Sequence, residues 1–408
     1  MDEPRMADAP RMPDETRMLD DARMVDDLRV VREAYGEPAP PTLREMSEAR
    51  ARAFGEPPRR RVRFGWRLKA GIGVVAVGAA AAIAIAAIGS GSPGSPSSPA
   101  PVALGKQAVL AAAEKAAAQP LGKYWFTDRI QGQAYVIRAK TGTYAITAAL
   151  DESFNWHGAK SGAGEAYYGR DLPAHPQTER DEALWRKAGS PSSFRVRGDG
   201  RDVIYTTRAT DWRSDGPEVG IDPGGGGAFM GRSVEELQNL PTDPAALTEM
   251  FLGAGKGSPS GLSKRLGFKP GDAGPKIMRV SSLLGGAPVP PKVRAGLMRA
   301  LAAQQGIHAI GKVTDPLGRE GVALAADDRT VTVTAEHGAP KAEQGTYRTR
   351  EVIIFDERTG ALLSRQNVLT VPGGRYAEMK PGFIIEYTAV RSAQWTDTRP
   401  KPPAKLPF

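Results

Sequence analysis

The longest apolar run of the chain divides it into two unequal parts. Residues 70–88 (AGIGVVAVGAAAAIAIAAI) contain no charged side chain, no polar side chain and no proline. At a rise of about 1.5 Å per residue, such a run forms a helix of about 28 Å, which matches the hydrocarbon thickness of a bilayer. The pattern therefore predicts one transmembrane helix with the rest of the chain on either side of it.

After this run, a linker rich in Ser, Pro and Gly is predicted over 89–101, and a folded domain over 102–408. The domain begins with an alanine-rich helix that Pro120 is expected to end. Runs of aromatic and β-branched residues predict strands in its first half. These strands are expected at 124–130, 134–137, 143–150, 154–156, 194–197 and 203–207, before a long loop over 208–232.

Two helices and a series of short-turn strands are predicted in the second half. Asp243-Pro244 is typical of a helix start, and a further helix is expected over 291–304 with Val293, Leu297, Ala300 and Leu301 facing inward. Turn signals at Asp315–Gly318 and Asp356–Gly360 join apolar alternating segments, as in antiparallel hairpins. The fold class predicted is α+β: a curved, half-barrel-like antiparallel sheet with helices on one face.

Basic residues indicate which end of the apolar run is cytoplasmic. Six of them lie directly before it, within residues 57–69, and none follows before Lys106, so the N-terminus is expected in the cytoplasm and the domain outside the cell membrane. Trp66 is a candidate interface anchor beside the basic residues Arg59, Arg60, Arg61, Arg63, Arg67 and Lys69. A cleaved signal peptide is the alternative, since Ala84-Ile85-Ala86 has the pattern of a cleavage site.

The cytoplasmic part is predicted to have two segments. Residues 1–23 repeat Arg-Met every six positions, a period of neither helix nor strand, and are expected to be disordered. They serve either as a partner-binding tail or as a low-complexity extension preceding a true start at Met24. Residues 24–69 are expected to form two short helices and the Arg-rich stop.

Charge and cysteine content narrow the class of protein. The formal net charge is +9, and the only dense basic run abuts the apolar stretch, where anionic lipid headgroups are the expected partner rather than nucleic acid. Cysteine is absent, which removes disulfides, thiolate catalysis and zinc–thiolate sites. These features favour a membrane-anchored protein of a bacterial cell envelope.

A search for reaction chemistry yields no catalytic, cofactor-binding or metal site. Residues 306–313 nearly match a phosphate-binding loop, but Val313 stands where a magnesium-ligating hydroxyl is needed, and a strand is the preferred interpretation. The four histidines lie in four different segments without ligand spacing. The chain is therefore not expected to be an enzyme, and an envelope enzyme is kept as a minor alternative.

Aromatic residues concentrate in the first half of the domain. Trp125, Trp156 and Tyr168 are the candidate ligand-lining residues, because a half-open sheet carrying such side chains can hold an acyl chain or a peptide. The alternative is that each belongs to the ordinary core.

The chain resembles a family of uncharacterised single-pass membrane proteins of actinobacteria. The stretches that carry the resemblance are MVDDLRVVR (24–32), LPTDPAAL (240–247), VTDPLGREGV (313–322), VIIFDERTGALL (352–363) and residues 387–395. These are turns and caps, so the resemblance implies fold and topology and no activity. In architecture only, the outer domain is similar to lipoprotein-carrier-like half-barrels and to sensor domains of sigma-factor regulators.

The function expected from these observations is extracytoplasmic sensing or binding, linked through the membrane to a cytoplasmic segment. The ligand outside is expected to be an envelope lipid, a peptide or a protein, and a sigma factor or another regulator is the expected partner inside. The alternative is a carrier of acyl chains or lipoproteins.

Overall fold

The computed structural model describes residues 101–160, 162–198, 201–216, 232–253, 268–269, 271–335 and 339–407. The hexad repeat, the cytoplasmic segment, the basic residues from Arg59 to Lys69, Trp66 and the apolar run 70–88 lie outside these residues, so their predicted roles stay predictions. Within the described residues no helix is both long and apolar enough to cross a bilayer.

The architecture is α+β, as predicted. The α-helices are α1 (Pro101–Ala117), α2 (Glu179–Lys187), α3 (Val234–Gln238), α4 (Pro244–Leu247), α5 (Gly274–Gly286) and α6 (Pro291–Ala302). A π-helical turn, Thr248–Leu252, continues directly from α4. Short 3₁₀ turns lie at Lys341–Glu343 and Gly374–Tyr376.

An eleven-stranded, curved antiparallel sheet forms the body of the domain. Its strands are β1 (Tyr124–Ala139), β2 (Gly142–Gly158), β3 (Glu165–Asp171), β4 (His175–Pro176), β7 (Arg213–Gly216), β8 (Ile307–Thr314), β9 (Glu320–Ala326), β10 (Arg329–Val333), β11 (Gly345–Phe355), β12 (Leu362–Val371) and β13 (Ile384–Thr396). The order across the sheet is β7-β3-β2-β1-β13-β12-β11-β9-β8, with β10 on β11 and β4 on β2. Strands β5 (Ser193–Gly198) and β6 (Arg201–Thr206) form a separate hairpin.

Helices α1, α5 and α6 cover one face of the sheet, and the largest core lies between them and the strands. The apolar stripe of α6 includes the predicted residues Val293, Leu297, Ala300 and Leu301, all of which are buried. They meet Ile353 and Phe355 of β11, which alternate with residues of the other face. Below, this side of the sheet is called the helix face and the other side the opposite face.

Both predicted turns are present and fix the path of the second half. Gly318 donates its backbone N–H to the Asp315 carbonyl between β8 and β9, and its φ is +78°. Gly360, with φ +70°, closes the turn between β11 and β12. A side chain at Gly360 would collide with the backbone of Ala112, so this glycine also lets the turn pack against α1.

The structure corrects several predicted elements. The segments 124–130 and 134–137 form the single strand β1, and the segments 143–150 and 154–156 form the single strand β2. A bulge at Ala149 (φ +47°) lets β2 continue past its irregularity. The predicted loop 208–232 contains β7. Helices α2, α3 and α5 and strands β3 and β4 were not predicted, and α1 ends at Ala117 instead of Gln119.

Candidate functional site

The three candidate ligand-lining aromatics do not lie together. Trp125 of β1 pairs with His157 of β2, whereas Trp156 lies one residue earlier on β2 and pairs with Phe126. Neighbouring residues of a strand point to opposite faces, so Trp125 lies on the helix face and Trp156 on the opposite face. Tyr168 of β3 pairs with Phe154 and therefore accompanies Trp156.

On the helix face, Trp125 lies under an arginine of α6. The Arg294 guanidinium carbon is 4.4 Å from the centroid of the Trp125 ring. Trp395 of β13 pairs with Trp125 across the strands, with ring centroids 5.5 Å apart. Pro291 opens α6 at its first turn, where a missing N–H costs nothing, and the helix then holds Arg294 against the sheet.

Hydrogen-bond donors without partners surround this contact. Trp125 is 2% exposed and Trp395 8% exposed, and neither indole N–H meets an acceptor among the described residues. Four more buried side-chain atoms have no hydrogen-bond partner among the described residues: Thr127 Oγ1, Arg129 Nε, Ser153 Oγ and Arg294 Nη1. Thr127, Arg129 and Ser153 share the helix face with Trp125, since Arg129 and Ser153 are directly paired. Such buried groups normally have partners, so this face is the candidate binding site.

The charge of Arg294 has no counterpart in the described part of the chain. Its side chain is buried, no ion pair reaches it, and burial alone lowers its pKa to about 9. Nearby Arg129 is different, because its pKa is lowered by burial while Asp151 supplies a counter-charge. Burial in turn raises the pKa of Asp151 to about 6. Among the described residues, Arg294 is therefore a buried cation without a counter-charge.

The opposite face carries an aromatic cluster, defined here as Phe126, Phe154, Trp156, Ala166, Tyr124, Tyr168 and Trp212. Phe126 and Phe154 stack with ring centroids 5.5 Å apart, and Tyr124 meets Trp156 edge-on at the same distance. Arg170 of β3 lies 4.4 Å above the Trp212 ring. The cluster is covered by the C-terminal residues 397–407, whose contacts are described below.

Four charged residues adjoin the aromatic cluster. Arg170 pairs with Glu152, and Arg391 pairs with Glu152 at 2.8 Å and with Asp128 at 3.8 Å. Burial raises the pKa of Asp128 to about 7, and the nearby Glu152 carboxylate adds to the rise. Two carboxylates and two guanidiniums therefore balance one another in the interior, unlike the charge of Arg294.

Two further polar features bear on possible chemistry. His157, Glu165 and Tyr167 form a buried chain of contacts, with Nδ1 of the histidine 3.2 Å and the tyrosine hydroxyl 2.9 Å from the Glu165 carboxylate. Residues 306–313 form mainly β8, as preferred over a phosphate loop. The described residues contain no cluster of three or more potential metal ligands.

Of the site residues found here, Trp125 was predicted and Arg294 was not. A signal for Arg294 exists in the sequence, because it precedes Leu297 by three residues and so borders the predicted inward stripe of α6. The role of Trp395 depends on the pairing of β1 with β13, which no local pattern reveals.

Comparison with known proteins identifies no family for the chain. No family model and no curated protein sequence matches it. Two solved structures are similar to parts of it: MucB in complex with MucA(peri), at 12% identity and a TM-score of 0.20, and LprF from Mycobacterium bovis, at 10% identity and a TM-score of 0.21. The MucB match covers 72% of this chain and 57% of the MucB chain, and the LprF match covers 75% and 99%. Similarity this weak carries no argument, so the proposals below rest on the geometry of the chain.

Proposed function

We propose that the described domain is a binding domain of the cell envelope and that Arg294 receives the anionic group of its ligand. The observation that carries the proposal is a guanidinium only 7% exposed with no carboxylate partner among the described residues. Leaving a buried cation unpaired costs several kcal/mol, so a protein retains one where a ligand supplies the opposite charge.

The surroundings of Arg294 favour an amphiphilic ligand with one anionic group. Leu297, Met298 and Val293 of the same helix are buried in the main core, so the ligand must give up most of its hydration to reach the site. The indoles of Trp125 and Trp395 only donate hydrogen bonds, which suits carboxylate or phosphate oxygens. A sensor and a carrier share this requirement and differ in whether the ligand is passed on.

Thermal unfolding of the full chain in detergent tests this site. Oleate is expected to raise the melting temperature, since a ligand at 100 times its Kd stabilises by about 2.7 kcal/mol, whereas uncharged monoolein with the same acyl chain is expected to have little effect. Arg294→Met is expected to abolish the preference for oleate. Arg299→Met on the same helix, whose arginine meets exposed Glu114, is the matched control and keeps the preference.

Two results contradict the proposal. One is an oleate response that survives Arg294→Met, which places the anion elsewhere. The other is the absence of any response in the parent chain, together with no lipid retained by the purified protein in native mass spectrometry.

We further propose that residues 70–88 anchor the domain outside the membrane, as the basic residues before them indicate. Replacing Arg59, Arg60, Arg61 and Arg63 with Gln is expected to produce mixed orientations of a C-terminal topology reporter. A reporter that stays entirely outside shows that these charges do not set the orientation.

The proposed link to the cytoplasm is contact between residues 24–56 and a sigma factor or another regulator. Full-length chain and chain lacking 24–56 are to be compared as baits, with quantitative mass spectrometry of captured proteins. Equal capture by the two baits contradicts this part of the proposal and leaves the ligand site untouched.

A further inference from the structure

The C-terminal strap, defined as residues 397–407, forms no helix or strand and lies across the aromatic cluster of the opposite face. The Trp212 indole donates to the Pro403 carbonyl at 2.8 Å. The Arg399 guanidinium carbon lies 5.5 Å from the Trp156 ring and 5.9 Å from the Tyr124 ring. The strap therefore covers aromatic surface that would otherwise face solvent.

Buried Arg170 and half-buried Arg391 hold the backbone of the strap. Arg170 Nη2 donates to the Lys405 carbonyl at 2.8 Å, and Arg391 Nη1 donates to the same oxygen at 3.1 Å. Arg170 Nη1 reaches the Ala404 carbonyl at 3.5 Å. Over residues 403–405, every described hydrogen bond between the face and the strap runs from a side chain of the face to a strap carbonyl.

At residues 403–405 the face supplies only donors, which suits a segment rich in proline. At Arg399 the direction is reversed, since its Nη2 donates to the Ala163 carbonyl at 3.4 Å. Pro402 and Pro403 have no N–H, so the strap presents acceptors and leaves no unsatisfied donor at these positions. Adjacent prolines also restrict the chain to the extended polyproline conformation before it binds, which lowers the entropy cost of docking. The chemistry of the face and that of the strap are thus complementary.

The face is organised by residues outside the strap. Glu152, which is fully buried, pairs with Arg170 and Arg391 and so positions both donors. The strap itself contributes little apolar anchoring, since Leu406 is 40% exposed. Its attachment consists mainly of carbonyl contacts and the Arg399 ring contacts, which another segment of the same chemistry can reproduce.

We propose that this face is a docking site for an extended Arg-x-x-Pro-Pro segment of a partner protein, and that the strap is its occupant in cis. Arg399, Pro402 and Pro403 define the motif. The arginine covers Trp156 and Tyr124. The Pro403 carbonyl accepts from Trp212, and the Lys405 carbonyl accepts from Arg170 and Arg391. The site is separate from Arg294, so the outcome of its test does not depend on the function proposed above.

The first experiment compares the full chain with a chain ending at Thr396. A fluorescein-labelled peptide of residues 398–408 (TRPKPPAKLPF) is titrated onto each, and polarisation is measured. Saturable binding is expected to the shortened chain and at least tenfold weaker binding to the full chain, whose site is occupied. A peptide in which Arg399 and both prolines are replaced by Ala is the matched control and is expected not to bind.

A second measurement uses the full chain, so that the test does not depend on the fold of the shortened chain. Trypsin is expected to cut the strap at Lys405–Leu406, because proline follows Arg399 and Lys401. Trp212→Phe keeps an aromatic ring but removes the N–H donor to Pro403. It is expected to accelerate this cleavage several-fold while the melting temperature stays within about 2 °C.

Specific outcomes overturn the inference. A folded shortened chain that does not bind the peptide shows that the strap is a fixed part of the domain. Equal binding of the peptide and its Ala control shows an unspecific aromatic surface. If the shortened chain does not fold, an unchanged cleavage rate in Trp212→Phe overturns the proposal in the same way.

Discussion

The two faces of the sheet bury arginines of opposite character. Arg170, 3% exposed, contacts the Glu152 carboxylate, the Trp212 ring and two strap carbonyls. Arg294, 7% exposed, lies on the Trp125 ring with no carboxylate among the described residues. Similar burial thus produces two different situations: Arg170 is compensated within the chain, and Arg294 has no compensating carboxylate among the described residues.

The largest loss of stability is expected from substituting Arg170, whose charge is compensated within the chain. Arg170→Met leaves Glu152 buried with only Arg391 as its cation, and breaking a buried pair costs about 3–5 kcal/mol. Urea unfolding followed by circular dichroism measures the loss. A cost below about 1 kcal/mol shows that Arg391 alone compensates Glu152 and weakens the contrast between the faces.

In protein freed of lipid, Arg294→Met is expected to raise the free energy of unfolding, whereas Arg170→Met lowers it. The substitution removes an uncompensated charge and keeps a similar volume, so it is expected to stabilise the fold by about 1–4 kcal/mol. The same urea experiment checks it. Destabilisation of similar size would reveal that an unseen partner pairs with the guanidinium.

The pH dependence of stability tests the carboxylates of the opposite face. The pKa of Asp128 is raised to about 7 in the folded chain, above its unfolded value near 3.8, so the folded state holds this proton more strongly. Its contribution to stability is therefore lost as the pH rises from about 4 to 7. Asp128→Asn is expected to lose less stability than the parent over this range.

The comparison with the parent separates Asp128 from other groups. Asp151, whose pKa is raised to about 6, titrates in both proteins and cancels in the difference. A difference between variant and parent that does not change with pH shows that Asp128 stays ionised throughout.

The smallest effect is expected at the surface pair of Arg299 and Glu114. Glu114 is 70% exposed, and exposed pairs contribute about 0.2–1 kcal/mol. Arg299→Met is therefore expected to change the unfolding free energy by less than about 1 kcal/mol. A larger change would disqualify it as the control for Arg294.

The sequence predicted the elements that are determined by residues close together in the chain. The turns at Asp315–Gly318 and Asp356–Gly360 are specified by residues within five positions, and the inward face of α6 by its own periodicity. Helix α5 was missed because Gly274-Pro275 begins it and Gly285-Gly286 ends it, with no capping side chain at its N-terminus. Its apolar residues become informative only when packed against the sheet.

The site could be predicted in part. Aromatic composition identified Trp125, Trp156 and Tyr168, but their separation onto two faces follows from the register between β1 and β2. A shift of one residue in that register would reverse the assignment. The lack of a carboxylate partner for Arg294 also cannot be predicted from neighbouring residues in the sequence, because it depends on which acidic residues the fold keeps away from α6.

The pairing of β1 with β13 has a consequence for how the chain is made. Tyr124–Ile130 can form a hairpin with β2 as soon as both are synthesised, but its other edge waits for Ala389–Thr396, near the end of the domain. Until then an edge with unpaired backbone groups is exposed, which favours mispairing with other chains. Contacts so distant in sequence also slow folding. We therefore expect the emerging domain to depend on a chaperone that shields the β1 edge during synthesis.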